Sequence, residues 1–268
     1  MPNSRMHGSS APDDPPEEIN FYGRASSPFP SGLAPGAARR QAAAMLFLFY
    51  SIVYGGGILL GGIQDRPVAI ILSAFPLGTL MLLATWLFIR GDRSWRESLG
   101  LGHQPLRATL GWSLLGFIGT YLVNLVLIGA YLAAHGDLEA IAAHRAIWLG
   151  SLAELPLAVI LPLAAFAALW EETVFRGFLL GRLRASMPVQ DSQRAVRRRD
   201  MPAVVLAGLL FGAGHGYQGL LGVGQTALIG IALGALTLWR RSLWPAIGAH
   251  LAIDAFSLIA IKVLKLTS

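Results

Sequence analysis

The chain reads as an all-α, polytopic helical membrane protein, with about seven or eight transmembrane helices around a polar intramembrane cavity. Three observations predict this. Hydrophobic residues make up 54% of the 268 positions and charged ones only 13%, where a soluble domain carries nearer a quarter charged. The apolar residues fall in long runs. The few ionisable side chains inside those runs recur at helical spacing.

Residues 1–42 are polar and rich in Pro, Ser and Gly, with Asp13, Asp14, Glu17 and Glu18 early and Arg39 and Arg40 late. They predict a disordered tail. No basic stretch followed by a short apolar core opens the chain, so a cleavable signal peptide is not expected.

Seven apolar stretches follow, at roughly 43–63, 68–89, 108–134, 146–170, 202–214, 220–239 and 242–261. All but the fifth reach the ~17 to 25 residues that cross the hydrocarbon layer as a helix. The organisation expected is a tail at 1–42, unspecific membrane helices at 43–145, and a functional membrane core at 146–268. One long hydrophilic loop is expected inside that core, from Arg182 to Asp200.

Arginines fall in alternate connections: Arg39 and Arg40, then Arg90 to Arg107, then Arg182 to Arg199, then Arg240 and Arg241. The positive-inside rule therefore places the amino terminus in the cytosol and, after seven crossings, the carboxyl terminus outside, with Lys262 and Lys265 in mild disagreement. The net charge of +6 is explained by these topogenic arginines meeting the lipid bilayer. A nucleic-acid partner is not expected. Absence of cysteine excludes disulfides and thiolate chemistry. Abundant Arg, Ala and Gly with scarce Lys fits a GC-rich bacterial genome, hence a multi-pass protein of the cell (inner) membrane.

Within the apolar runs, Trp170 to Arg176 reads Trp-Glu-Glu-Thr-Val-Phe-Arg. Taken alone this is the cytosolic end of a membrane helix. Yet an unpaired carboxylate at membrane depth costs at least ~2.5 to 3.5 kcal/mol, so a partner or a function is implied. Arg176 lies one turn after Glu172 and pairs with it on one helix face, while Glu171 points about 100° away. His215 follows the short fifth stretch, four residues after Phe211, and alone reads as a loop residue. His250 and Asp254 share a face of the last helix, which alone reads as a pair joining helices.

Together these residues come from three separate apolar segments, and intramembrane ionisable groups usually face one another or a water-filled cavity. A buried carboxylate that takes a proton from water, beside a His or His-bound metal that steadies an oxyanion, has the parts for hydrolysis. Spacing alone leaves metal and metal-free chemistry both open, since the His-Glu-x-x-His zinc helix is absent. A second class also stays open: a non-catalytic immunity or binding protein, or a small ion-coupled transporter, using the same cavity. The lack of a polar stripe through the other helices favours hydrolysis over transport.

Glu-Glu-x-x-x-Arg at 171–176, Phe-x-x-x-His at 211–215 and His-x-x-x-Asp at 250–254 resemble the three signature motifs of the CAAX prenyl protease and bacteriocin-processing (abortive-infection) family of intramembrane proteases. The resemblance covers about 100 residues of the carboxyl-terminal half. It implies an endopeptidase acting on a membrane-anchored protein or peptide, prenylated in the eukaryotic cases. Glu171 would be the base that activates water, helped by His215, with Glu172, Arg176 and Phe211 in support. His250 and the residue at 254 would stabilise the oxyanion. That position often holds Asn in the family. An ionised Asp254 cannot donate a hydrogen bond, so it is either protonated, or orients His250, or helps bind a metal. If a divalent metal such as zinc is used, Glu171, His215 and His250 are its candidate ligands.

Depth counting leaves one tension. With the fourth stretch ending at 170, Glu171 lies at the membrane surface, whereas His250 lies ~12 Å and His215 ~21 Å inward. The three meet only if the helix carrying Glu171 continues past that boundary, or if residues 201–215 tilt or turn back along their glycines.

Overall fold

The computed structural model describes residues 33–55, 67–92, 95–136, 155–187 and 193–267, with the side chains of 67–74, 193–199 and 264–267 left aside. The first 32 residues, most of the expected tail, lie outside this set. From Pro35 onward the chain is already helical.

Among the described residues every regular element is helical. Helix α1 spans Pro35–Tyr50 and runs into a π-helical turn, Ser51–Gly55. Helix α2 is Pro67–Ile89, α3 the single turn Trp95–Ser98, and α4 Leu106–His135. Helix α5 runs from Leu157 to Ser186. It is α-helical to Glu172, π-helical over Thr173–Leu179, and α-helical again from Leu180. Helix α6 is Gln193–Ala213, α7 Gly219–Arg240 and α8 Trp244–Thr267, with a 3-10 turn, Gly216–Gln218, between α6 and α7. Four helices, carrying Leu106–His135, Leu157–Ser186, Gly216–Arg240 and Trp244–Val263, are long and apolar enough to cross a membrane. Phe75–Ile89 and Asp200–Ala213 are shorter apolar helices. The protein is a helical membrane protein.

Two expectations are corrected. The fourth helix does not stop at 170, and the loop expected from Arg182 to Asp200 is mostly helix. Hydropathy counts Arg182 and Arg184 as surface, yet both are buried. Arg182 Nε donates to Gln41 Oε1 on α1 at 2.6 Å, and its guanidinium lies over the Phe178 ring at 4.8 Å. Arg184 Nε lies 2.7 Å from Asp200 Oδ1 on α6. Partners from other elements make these positions helical interior. Likewise Pro202 reads as a helix start but sits inside α6, a placement that membrane helices tolerate.

The continuation resolves the depth tension. Glu171 and Glu172 become the two central residues of the 30-residue α5, roughly 21 Å from either end at 1.5 Å per residue. Helix α5 packs against α1, α2 and α8; α6 packs along α7; and α4 packs against α7 and α8. The arginine-bearing connections gather at one end. Arg182 lies 3.8 Å from Asp92 after α2, Gln104 donates to the Arg240 carbonyl at 3.1 Å, and Leu243 N–H to the Gly100 carbonyl at 2.8 Å. Lys262 marks the opposite end, where its Nζ donates to the Leu155 carbonyl at 3.0 Å.

Close approach of α6 to α7 depends on two glycines one turn apart. A Cβ at Gly208 would stand 2.7 Å from the Ile231 backbone nitrogen, and one at Gly212 would stand 2.6 Å from the Val223 carbonyl oxygen. Small residues at this spacing let membrane helices meet backbone to backbone. The chain then turns at Gly214 and His215 and enters α7 through Gly219, whose φ is +71°. His215 thus sits at the tip of a tight helical pair.

Candidate active site

Three helices deliver the ionisable groups to one place. Glu171, Glu172 and Arg176 come from the middle of α5, His215 from the tip after α6, and His250 and Asp254 from successive turns of α8. Wide π turns occur often at functional sites, and the π segment of α5 begins directly after Glu172.

The buried centre is an ion pair. Arg176 Nη1 lies 2.7 Å from Glu172 Oε1, one turn apart as the spacing predicts, and both side chains are almost wholly buried. The other face of the guanidinium is covered by Phe211, with Arg176 Cζ 4.0 Å from the ring centroid. This arrangement stabilises a desolvated cation. Phe211 also touches the rings of His215 at 4.7 Å, His250 at 6.1 Å and Phe175 at 5.0 Å, so it joins all three motifs.

Each imidazole is held at Nδ1. His215 Nδ1 lies 2.9 Å from the Phe211 carbonyl oxygen; a carbonyl only accepts, so Nδ1 carries the hydrogen. This bond explains the four-residue spacing of Phe211 and His215. His250 Nδ1 lies 2.8 Å from Glu172 Oε1, a carboxylate already paired with Arg176, so here too Nδ1 donates. Both rings thereby aim Nε2 at Glu171. Its Oε2 lies 4.0 Å from His215 Nε2 and 3.9 Å from His250 Nε2. Glu171 and His215 each keep about one-seventh of their side-chain surface exposed, against none for Glu172.

Asp254 is the least buried member. Its Oδ2 lies 3.6 Å from His250 Nε2, too far for a hydrogen bond. Of the alternatives left open for Asp254, holding His250 in orientation is filled by Glu172 instead.

The donor types suit a metal. A ring nitrogen whose partner nitrogen donates to a carbonyl or carboxylate is the usual arrangement of a ligating histidine. The spacing does not suit one. Tetrahedral ligands at ~2.0 to 2.2 Å from an ion stand ~3.3 to 3.6 Å apart, and among the described residues no three His, Asp or Glu gather as a metal-ligating group. No step below is routed through a metal.

Sequence reasoning missed the link between Glu172 and His250, 78 residues apart. It also missed three tyrosines near His215. Tyr217 lies 5.8 Å from the His215 ring and accepts a hydrogen bond from Gln218 Nε2 at 3.2 Å. Tyr50 and Tyr54 donate to carbonyls near the end of α6. Adjacency in sequence would have pointed to Tyr217; nothing in the sequence points to the other two.

Residues 153–256 match the family model described as Type II CAAX prenyl endopeptidase Rce1-like. This part of the chain, which is similar to that family, carries all three motifs. No curated protein and no solved structure matches the chain.

Proposed function

We propose that the protein is an intramembrane endopeptidase that hydrolyses a peptide bond in a protein or peptide anchored to the membrane by lipid or by a helix. The observation that carries this reading is the position of Glu171, whose Oε2 faces Nε2 of both His215 and His250 at 4.0 and 3.9 Å. These gaps are too wide for direct hydrogen bonds and wide enough for water to bridge.

A water in the Glu171–His215 gap donates one O–H to Glu171 and the other to the Nε2 lone pair of His215. As its oxygen bonds to the scissile carbonyl carbon, Glu171 takes the proton and the carbonyl π electrons move to oxygen. His250, protonated on both ring nitrogens, donates from Nε2 to that oxyanion. Glu171 then passes its proton to the amide nitrogen, the C–N bond breaks, and a carboxylic acid and an amine leave. Glu172 and Arg176 hold His250 in place through this sequence without touching the reacting atoms.

The gathering of the arginine-bearing connections at one end supports a cytosolic amino terminus and a site reached from within the cell membrane. The family match supports a membrane-anchored protein as substrate.

The test is cleavage of tagged, membrane-anchored candidate proteins by the purified chain in proteoliposomes. The wild type and Glu171→Ala are compared, each with and without chelator. Cleavage by the wild type and none by the variant is expected. Equal cleavage by both removes Glu171 as the base, and the chelator arm reads any metal requirement directly.

A further inference from the structure

Helix α6 ends with four carbonyls, from Leu210 to Ala213, of which the first keeps its ordinary helical donor and the others turn to other partners. Each accepts a hydrogen bond. The Leu210 carbonyl accepts from Gly214 N–H at 3.2 Å and from Tyr50 Oη at 2.5 Å. The Phe211 carbonyl accepts from His215 Nδ1, and the Gly212 carbonyl from His215 N–H at 2.9 Å. The Ala213 carbonyl accepts from Tyr54 Oη.

His215 therefore closes two of these groups, and two tyrosines from the other end of the chain close the pair on either side. Contacts around the turn follow the same pattern. A Cβ on Gly214 would stand 2.7 Å from the Phe49 ring, and one on Gly216 would stand 2.7 Å from Tyr54 Oη. The two tyrosine rings stack at 5.9 Å. Tyr54 is 46% exposed, so its hydroxyl bond, rather than core packing, is what it brings to the turn. Residues 49–54 lie outside the segment that matches the protease family.

We propose that Tyr50 and Tyr54 are positioning residues for His215: by closing the carbonyls at the end of α6 they fix the turn that aims the His215 ring at Glu171. The catalytic part of this inference rests on the endopeptidase reading above; the structural part does not. A turn free to move by about 1 Å lengthens the Glu171–His215 gap, and displacements of that size cost rate rather than binding.

The experiment compares Tyr54→Phe and the Tyr50→Phe/Tyr54→Phe double variant with the full wild-type chain in proteoliposomes. Carbethoxylation of His215 by diethyl pyrocarbonate is followed by mass spectrometry and normalised to the exposed His103 and His135; kcat and KM are measured in parallel. Tyr121→Phe, which removes the 2.8 Å Tyr121–Ser257 hydrogen bond between α4 and α8, is the control for loss of a helix contact elsewhere. The double variant is expected to label His215 severalfold faster and to lose about tenfold in kcat with KM unchanged, while the control moves neither. Wild-type labelling of His215 in the double variant overturns the proposal, whatever happens to kcat. Faster labelling in a chain whose Glu171→Ala variant cleaves as well as wild type keeps the Tyr–His215 relation and rejects Glu171 as the base instead.

Discussion

His250 and Arg176 converge on a single oxygen, Glu172 Oε1, at 2.8 and 2.7 Å. One carboxylate thus neutralises a buried guanidinium and orients an imidazole on another helix. Glu172 and its neighbour Glu171 accordingly differ in what their removal does.

Glu172→Ala leaves Arg176 buried without its partner, so it is expected to cost about 3–5 kcal/mol. Thermal unfolding in detergent checks this. A loss below 1 kcal/mol would mean that neither the ion pair within α5 nor the Glu172–His250 bond to α8 holds the fold.

Glu171→Gln is expected to leave thermal stability near wild type, because the nearest ring nitrogens are 3.9 and 4.0 Å away and no hydrogen bond to them is lost. It is expected to lower kcat by about 10²–10⁴, the usual range for loss of a general base. A variant that unfolds early and cleaves normally would reverse the two assignments.

Asp254→Asn is expected to keep cleavage within about tenfold of the parent chain, since the carboxylate makes no hydrogen bond to His250 and an amide adds a donor near the oxyanion. Steady-state kinetics decide it. Abolished cleavage would show that the negative charge at 254 is required.

Phe211→Leu removes the ring over Arg176 but keeps an apolar side chain, and is expected to cost about 0.5–2 kcal/mol in stability. Phe211→Ala also opens a cavity and is expected to cost about 3–5 kcal/mol. A melting temperature of Phe211→Leu equal to that of the wild type would show that the stacking contributes nothing.

Gly212→Ala places a methyl group against the Val223 carbonyl and the Ala227 backbone nitrogen, and is expected to cost about 1–3 kcal/mol by overpacking. Cleavage should fall with it, because the displaced end of α6 carries His215. The same substitution at Gly119 on α4, where a Cβ meets nothing within 4 Å, is the control.

The three motifs were legible because each is a short run of charge inside an apolar segment, where such groups are costly. The pairing of Glu172 with Arg176 and the orientation of Glu171 followed from helical spacing alone. What sequence did not show was the length of α5. A hydropathy boundary placed at Trp170 treats Arg182 and Arg184 as water-facing, and only the fold supplies Gln41 and Asp200 as their partners. The start of α1 at Pro35 was hidden for a similar reason, with Arg39 and Arg40 marking polar chain rather than helix. The carbonyls that Tyr50 and Tyr54 cap lie about 160 residues away, beyond any local pattern.

The π segment Thr173–Leu179 carries one more consequence. A π turn closes through i→i+5 bonds and so accommodates a surplus residue within an otherwise regular rod. Closing the same residues as an ordinary α-helix, with none removed, would rotate everything beyond them by about 100°. Arg182 would swing away from Gln41, or the glutamates away from the imidazoles. The π closure of this stretch therefore acts as a phase setting between the chemistry at the centre of the bundle and the anchoring at its arginine-rich end.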